Sequence, residues 1–141
     1  MKQRVVSLSD FGPAENMSII ETDIPTPGSG QIVVKNNAIG LNYLDTYFRS
    51  GLYPWPNNND IKIPGSEGIG NIHAVGSDVS DFKEGDRVSY VTPVGAYAEY
   101  AIINAAHAAK INVEVEDHDV VACTLKGLTT HYLLHLTSFA S

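Results

Sequence analysis

From Ile63 onward the chain is a series of short apolar runs divided by glycines, and that punctuation limits the fold more than any other feature. Pro64-Gly65-Ser66-Glu67-Gly68-Ile69-Gly70 leads into Asn71 to Val75 and the turn Gly76-Ser77-Asp78. Glu84-Gly85-Asp86 is a second turn and Arg87 to Val91 another strand. Gly95 to Ile103 alternates small and aromatic residues, in part at period two. Short strands with glycine at the corners predict a small barrel or sandwich, not a helical bundle. The first third agrees. Arg4 to Leu8 and Met17 to Glu21 read as a hairpin about the turn Asp10 to Pro13, Pro25 to Gly30 as a loop, and Gln31 to Ile39 as the first long strand. The expected class is mainly β with short helices.

One stretch breaks that pattern. In Ala38 to Pro54, AIGLNYLDTYFRSGLYP, Leu44, Tyr47 and Phe48 fall at the i, i+3, i+4 spacing of a short helix. Asn42 stands where an N-cap is wanted, and Asp45 where a negative charge suits the helix dipole. Gly51 is placed for a left-handed C-cap, and Pro54 prevents continuation. Asn42, Tyr43, Asp45, Thr46, Tyr47, Arg49 and Tyr53 crowd this turn, more polar groups than capping requires. The stretch reads either as the wall of a binding cleft or as a surface helix with ordinary polar decoration. Pro56 to Asp60 is a polar loop at the rim of such a cleft.

The C-terminal part differs in kind. Glu116 to Asp119 is an acidic helix start; Val120 to Leu125 and Leu128 to Leu136 read as helix interrupted at Lys126-Gly127. Leu125, Leu128, Tyr132, Leu133 and Leu136 form an apolar stripe with no later element to cover it. The stripe is expected to dock on a second copy of the chain, giving a homodimer, or to stay exposed.

Length and charge narrow the class further. At 141 residues the chain is one domain able to bury a core. A net charge of -7, from 9 Lys+Arg against 16 Asp+Glu, argues against nucleic-acid or anionic-membrane partners. No apolar run approaches a membrane span and the N-terminus lacks a signal-peptide core, so a cytoplasmic location is expected. Cys123, the only cysteine, excludes an internal disulfide.

Four ordered strings are more specific than any periodicity: AIGLNYLDTYFRSGLYP, IPGSEGIGNIHAVGSDVSDFKEGDRV, GAYAEY and LKGLTTHYLL. Together they resemble the quinone oxidoreductase (zeta-crystallin-like) branch of the medium-chain dehydrogenase/reductase superfamily, over nearly the whole chain. The resemblance implies a GroES-like β-barrel, the catalytic domain of an NADPH-dependent enzyme that passes hydride to a quinone. It assigns residues 1–125 to that domain and 126–141 to the start of a helix leading into a Rossmann cofactor domain that the sequence lacks. Gly68-Ile69-Gly70 is the nearest string to a dinucleotide fingerprint, but no helix follows it. The chain is accordingly expected to be inactive alone. A stand-alone GroES-like binding module without redox activity is the alternative.

Carried onto this sequence, the resemblance places Asn42, Tyr43, Leu44, Asp45, Thr46, Tyr47 and Thr129 against the cofactor, with Asn42, Tyr47 and Tyr53 toward the quinone. Thr129 is otherwise read as a helix-interior back-bond and Asn42 as a plain N-cap. Glu67 reads as a structural acid near the cleft, and no residue stands out as a general acid. Zinc-dependent relatives in the superfamily carry Cys and His where Asn42 and Ser66 stand, and a catalytic zinc needs three protein ligands. His131 and His135 could share a helix face but lack a third ligand. The match is to a zinc-free reductase. Elemental analysis of chelator-free protein should find far less than one zinc per chain; about one per chain would overturn that expectation.

Overall fold

The computed structural model describes residues 1–137. Strands β1 (Lys2–Leu8) and β2 (Met17–Asp23) form the expected hairpin, paired from Lys2↔Asp23 to Leu8↔Met17. The remaining strands are β3 (Gln31–Gly40), β4 (Glu67–Val75), β5 (Arg87–Val91), β6 (Tyr100–Asn104) and β7 (Ala108–Lys110). They make one antiparallel sheet in the order β6-β3-β4-β5-β7. Isolated bridges Val5↔Ala98 and Leu8↔Lys62 join the hairpin to the loops flanking that sheet. Val6 N–H donating to the Tyr97 carbonyl at 2.9 Å reinforces the join.

Ile32, Val34, Ile72, Val88, Tyr90, Ala96, Ala101 and Ile103 close the core, with Ile39, Val75 and Phe82 packed at its margin. Ile32, Val33 and Val34 are all buried, so the middle of the sheet is covered on both faces. Burial raises the Tyr90 phenol well above its ordinary value, against the lowering effect of its hydrogen bond to Asn36. It therefore stays neutral in the core.

Helix α1 (Tyr43–Ser50) has Asn42 as its N-cap and Gly51, at φ 78°, as its left-handed C-cap, both as expected. Helix α2 (Asp117–His131) runs unbroken through Lys126-Gly127, where an interruption was expected. A mid-helix glycine weakens a helix by only about 1 kcal/mol, and tertiary anchors around it offset that. From Tyr132 to Thr137 the helix widens into π-type turns. No helix is long and apolar enough to cross a membrane among the described residues.

Two other expectations change. Only Tyr100–Asn104 of the Gly95 to Ile103 run is strand. The N–H groups of Gly95 and Tyr97 go instead to the Pro64 carbonyl and that of Ala96 to the Gly65 carbonyl, forming a loop that crosses the β4 entrance. Strand β7 was not expected, because Ala108-Ala109-Lys110 carries no alternating pattern.

The start of α2 is fastened to the sheet by charge. Arg87 Nε donates to Asp117 Oδ1 at 2.8 Å, and Asn37 Nδ2 donates to Asp117 Oδ2 at 2.8 Å. Burial pushes the Asp117 carboxyl up, but the hydrogen bonds from Arg87 and Asn37 outweigh it and hold it below its ordinary value. Its contribution is therefore whole above the unfolded carboxyl value of about 4 and is lost as pH falls through the lower folded value. Asp117→Asn should destabilise the chain at neutral pH by roughly 1–3 kcal/mol. In urea titrations it should also lose less stability than the parent between about pH 4 and pH 2; an equal acid loss would show the carboxylate to be irrelevant.

Candidate ligand site at the first helix

The turn into α1 is built on two buried carboxylates that meet it from opposite sides. Asp45, 6% exposed, reaches back so that its Oδ2 accepts the Asn42 N–H at 2.9 Å. Its two oxygens also receive the Ser66 hydroxyl and, at 2.8 Å, the Tyr97 hydroxyl. Burial, then the Asp45 hydrogen bond and charge, hold the Tyr97 phenol protonated well above its usual range. Asp45 therefore fixes the turn and faces inward.

The second carboxylate is Glu67, the first residue of β4 and fully buried. Its Oε1 accepts from Asn42 Nδ2 at 2.8 Å and Lys126 Nζ at 2.7 Å, and its Oε2 from the Leu125 N–H at 2.8 Å. Gly40 has no side chain because this carboxylate occupies the space: a Cβ there would lie 2.3 Å from Glu67 Oε1. Glu67 is thus the structural acid expected. Its partner Lys126, together with the Ser66 and Tyr97 contacts to Asp45, was not anticipated. A lysine one residue before a helical glycine was the available signal, visible only once α2 is known to cross β4.

With both carboxylates turned inward, the outward face of the turn is aromatic. The Tyr43 and Tyr47 rings meet edge-on at 5.7 Å, Tyr47 and Tyr53 at 5.3 Å, and Phe48 touches both Tyr53 and Trp55. Thr46 Oγ1 donates to the Tyr43 carbonyl at 2.6 Å, and Arg49 donates to the Gly12 carbonyl at 2.9 Å, tying α1 to the hairpin turn. Concavities flank the helix. Asn42, Tyr43, Asp45, Thr46 and Arg49 line one of about 350 Å³. Leu44, Phe48 and Tyr53 line another of about 910 Å³, whose far walls are β5 and the Thr124, Gly127 and Leu128 stretch of α2.

The anticipated residues therefore fall into four groups. Asn42, Tyr43, Asp45 and Thr46 share the smaller concavity, and Leu44 and Tyr53 the larger. Tyr47 bridges Tyr43 and Tyr53 through its ring contacts. Thr129 is exposed and lines neither, its hydroxyl donating to the Leu125 carbonyl at 2.9 Å, the helix-interior back-bond. His131 and His135 lie ring to ring at 4.8 Å on exposed helix, and no cluster of three His, Cys, Asp or Glu stands ready for a metal among the described residues.

Known proteins resemble this chain in sequence and fold. The alcohol dehydrogenase GroES-like domain matches residues 28–113, from the loop before β3 to just past β7. A quinone oxidoreductase of Pseudomonas aeruginosa is 43% identical over 137 residues, covering 94% of this chain and 37% of its own length. The crystal structure of the Pseudomonas syringae pv. Tomato DC3000 quinone oxidoreductase superposes with a TM-score of 0.91 at 42% identity, covering 100% of this chain and 43% of that one. Escherichia coli quinone oxidoreductase, solved as an NADPH complex, gives 0.85 at 34% identity, covering 99% of this chain and 42% of that one. The chain thus spans about two fifths of the length of the relatives it matches. On the matched domain, which takes in more than half of its residues, the chain belongs to the alcohol dehydrogenase GroES-like domain family.

Proposed function

We propose that residues 1–125 are the catalytic domain of an NADPH-dependent quinone oxidoreductase acting in the cytoplasm, and that the part of α2 from Lys126 onward leads to a cofactor domain. The observation that carries this reading is the α1 turn: one fixed carboxamide and three phenol rings, set between two concavities. A carboxamide and phenols suit flat, uncharged rings such as nicotinamide and quinone. NADPH, when bound, supplies the hydride. Asn42, Tyr43 and Tyr47 would hold the nicotinamide end, and Asn42, Tyr47 and Tyr53 the quinone. Leu44, Asp45 and Thr46 serve by shaping the turn. The Thr129 hydroxyl, while donating to Leu125, keeps lone pairs that can accept a hydrogen bond.

The donor set also supports a zinc-free site. Asn42 turns its N–H end toward Glu67, and Ser66 gives its hydroxyl to Asp45. Both side chains at the positions of the zinc relatives' ligands are thus already engaged as donors to carboxylates.

Among the described residues no strand, glycine turn and helix follow one another as a diphosphate cradle would require. Most dinucleotide binding energy would then be missing, and a nicotinamide pocket positions a ring only if something holds the rest. Purified chain mixed with NADPH and a quinone should turn over far below a typical ~10 s⁻¹; a rate near that value would demand a phosphate site within these residues. The apolar lining of the larger concavity favours a second reading, a GroES-like module that binds a ligand without redox chemistry. Ligand binding with no hydride transfer, even after addition of a separately produced cofactor domain, would favour it.

The exposed end of α2 is proposed to pair with a second copy. Leu128, Tyr132, Leu133, Leu134 and Leu136 are each more than half exposed, and burying such a side chain is worth ~1.5–3 kcal/mol. Light scattering at several concentrations should show dimers for the whole chain and monomers for a version ending at Lys126. Monomers in both, with protected amides from Leu128 to Leu136, would refute the pairing.

A further inference from the structure

Glu67 receives three donors from separate parts of the chain, and it lines neither concavity at α1. We propose that Glu67 is a positioning residue for the ligand site, acting through Asn42: as an ionised carboxylate it sets which end of the Asn42 carboxamide faces the ligand. The proposal rests on reading the α1 turn as the cofactor and acceptor wall. The chemistry is one of donor and acceptor count. An ionised carboxylate only accepts, so it can take only the NH₂ end of a neighbouring amide. Glu67 Oε1 takes Asn42 Nδ2 at 2.8 Å and thereby turns the amide oxygen away from itself. A protonated carboxyl, or a glutamine, can donate as well as accept and would leave both amide orientations open.

Lys126 has a definite part in this. Its ammonium shares the same oxygen at 2.7 Å, with half of its side chain in water and the carboxylate wholly buried. A buried carboxylate without a counter-charge tends to take up a proton. The lysine supplies that counter-charge. The Leu125 N–H on the other oxygen ties the α2 wall of the larger concavity to the same group. One side chain thus sets the orientation of Asn42 and the spacing between α1 and α2.

The test compares the parent with Glu67→Gln, Asn42→Ala and the double variant, by two measurements. The first is the Asn42 side-chain NH₂ signal in nitrogen–proton NMR. The parent should show one proton strongly deshielded and slow to exchange, and Glu67→Gln should lose that signature. The second is titration with reduced nicotinamide mononucleotide and with tetramethyl-1,4-benzoquinone, whose fully substituted ring does not alkylate Cys123. Glu67→Gln should weaken binding on the order of 10-fold, as loss of a supporting hydrogen bond does elsewhere. With Asn42 already replaced by alanine, Glu67→Gln should have no further effect, because the two act as one unit. An unchanged Asn42 signal in Glu67→Gln, or effects that simply add in the double variant, would overturn the proposal. If the parent binds neither probe, the Asn42 signal alone judges the positioning. Should Glu67→Gln not fold, Glu67→Gln with Lys126→Met removes the orphaned ammonium and is read by the same NMR signature.

Discussion

A carboxylate with no access to water holds this structure's functional end together. Taking an ion out of water is unfavourable by several kcal/mol even after relaxation, so Glu67 can exist where it does only if its surroundings are arranged for it. Several residue identities follow from that one demand. Gly40 leaves the space, Asn42 supplies an amide donor, Leu125 supplies a main-chain donor, and Lys126 supplies the charge. These four come from the end of β3, the cap of α1 and the middle of α2. Removing one member of such a set leaves the buried carboxylate short of a partner, which is destabilising. The three elements therefore keep their relative places.

Asp45 makes a matching demand from the other side, and the strand geometry explains why both can be met. Successive side chains along extended backbone point to opposite faces. Ser66 and Glu67 are adjacent, yet Ser66 donates to the carboxylate inside α1 while Glu67 receives the cap residue just before it. The helix is pinned at its N-terminus by a serine, a tyrosine and its own capping residue. What remains for the outward face is mostly aromatic, because both carboxylates of the turn have been turned inward. The polar crowding that marks this stretch in the sequence is thus mostly scaffold, and the surface proposed to meet the ligand consists of rings and a single amide.

This division shows what could be read from the sequence. The caps of α1, the hairpin and the strands β3 and β5 were legible because each depends on residues within a few positions of one another. The glycine-cornered β class was legible for the same reason. Contacts between distant segments were not. Lys126-Gly127 looks like a break when only helix propensity is considered, and becomes continuous because the turn before it is bonded to β4 and β5. Gly95 to Ile103 alternates like a strand, but its first half bonds to the Pro64–Gly65 backbone, which no local pattern reveals. Asp45 and Thr129 were singled out for cofactor contact by resemblance. In the fold the carboxylate of Asp45 faces Ser66 and Tyr97, while the Thr129 hydroxyl donates within its own helix.

The anchors of α2 end where the proposed catalytic domain ends. Arg87 and Asn37 hold Asp117, Ser89 meets Thr124 hydroxyl to hydroxyl at 2.7 Å, and Glu67 takes Leu125 and Lys126. The next residue is Gly127, with nothing within 4 Å of where a Cβ would stand, and from Leu128 to Thr137 every side chain is exposed. In that stretch the hydroxyls of Thr129, Thr130 and Thr137 bond to carbonyls four residues earlier, which supports the arm along its own axis. The fastened half of α2 has a last point of attachment to the sheet. That point is the Lys126 ammonium on Glu67, one hydrogen bond from Asn42.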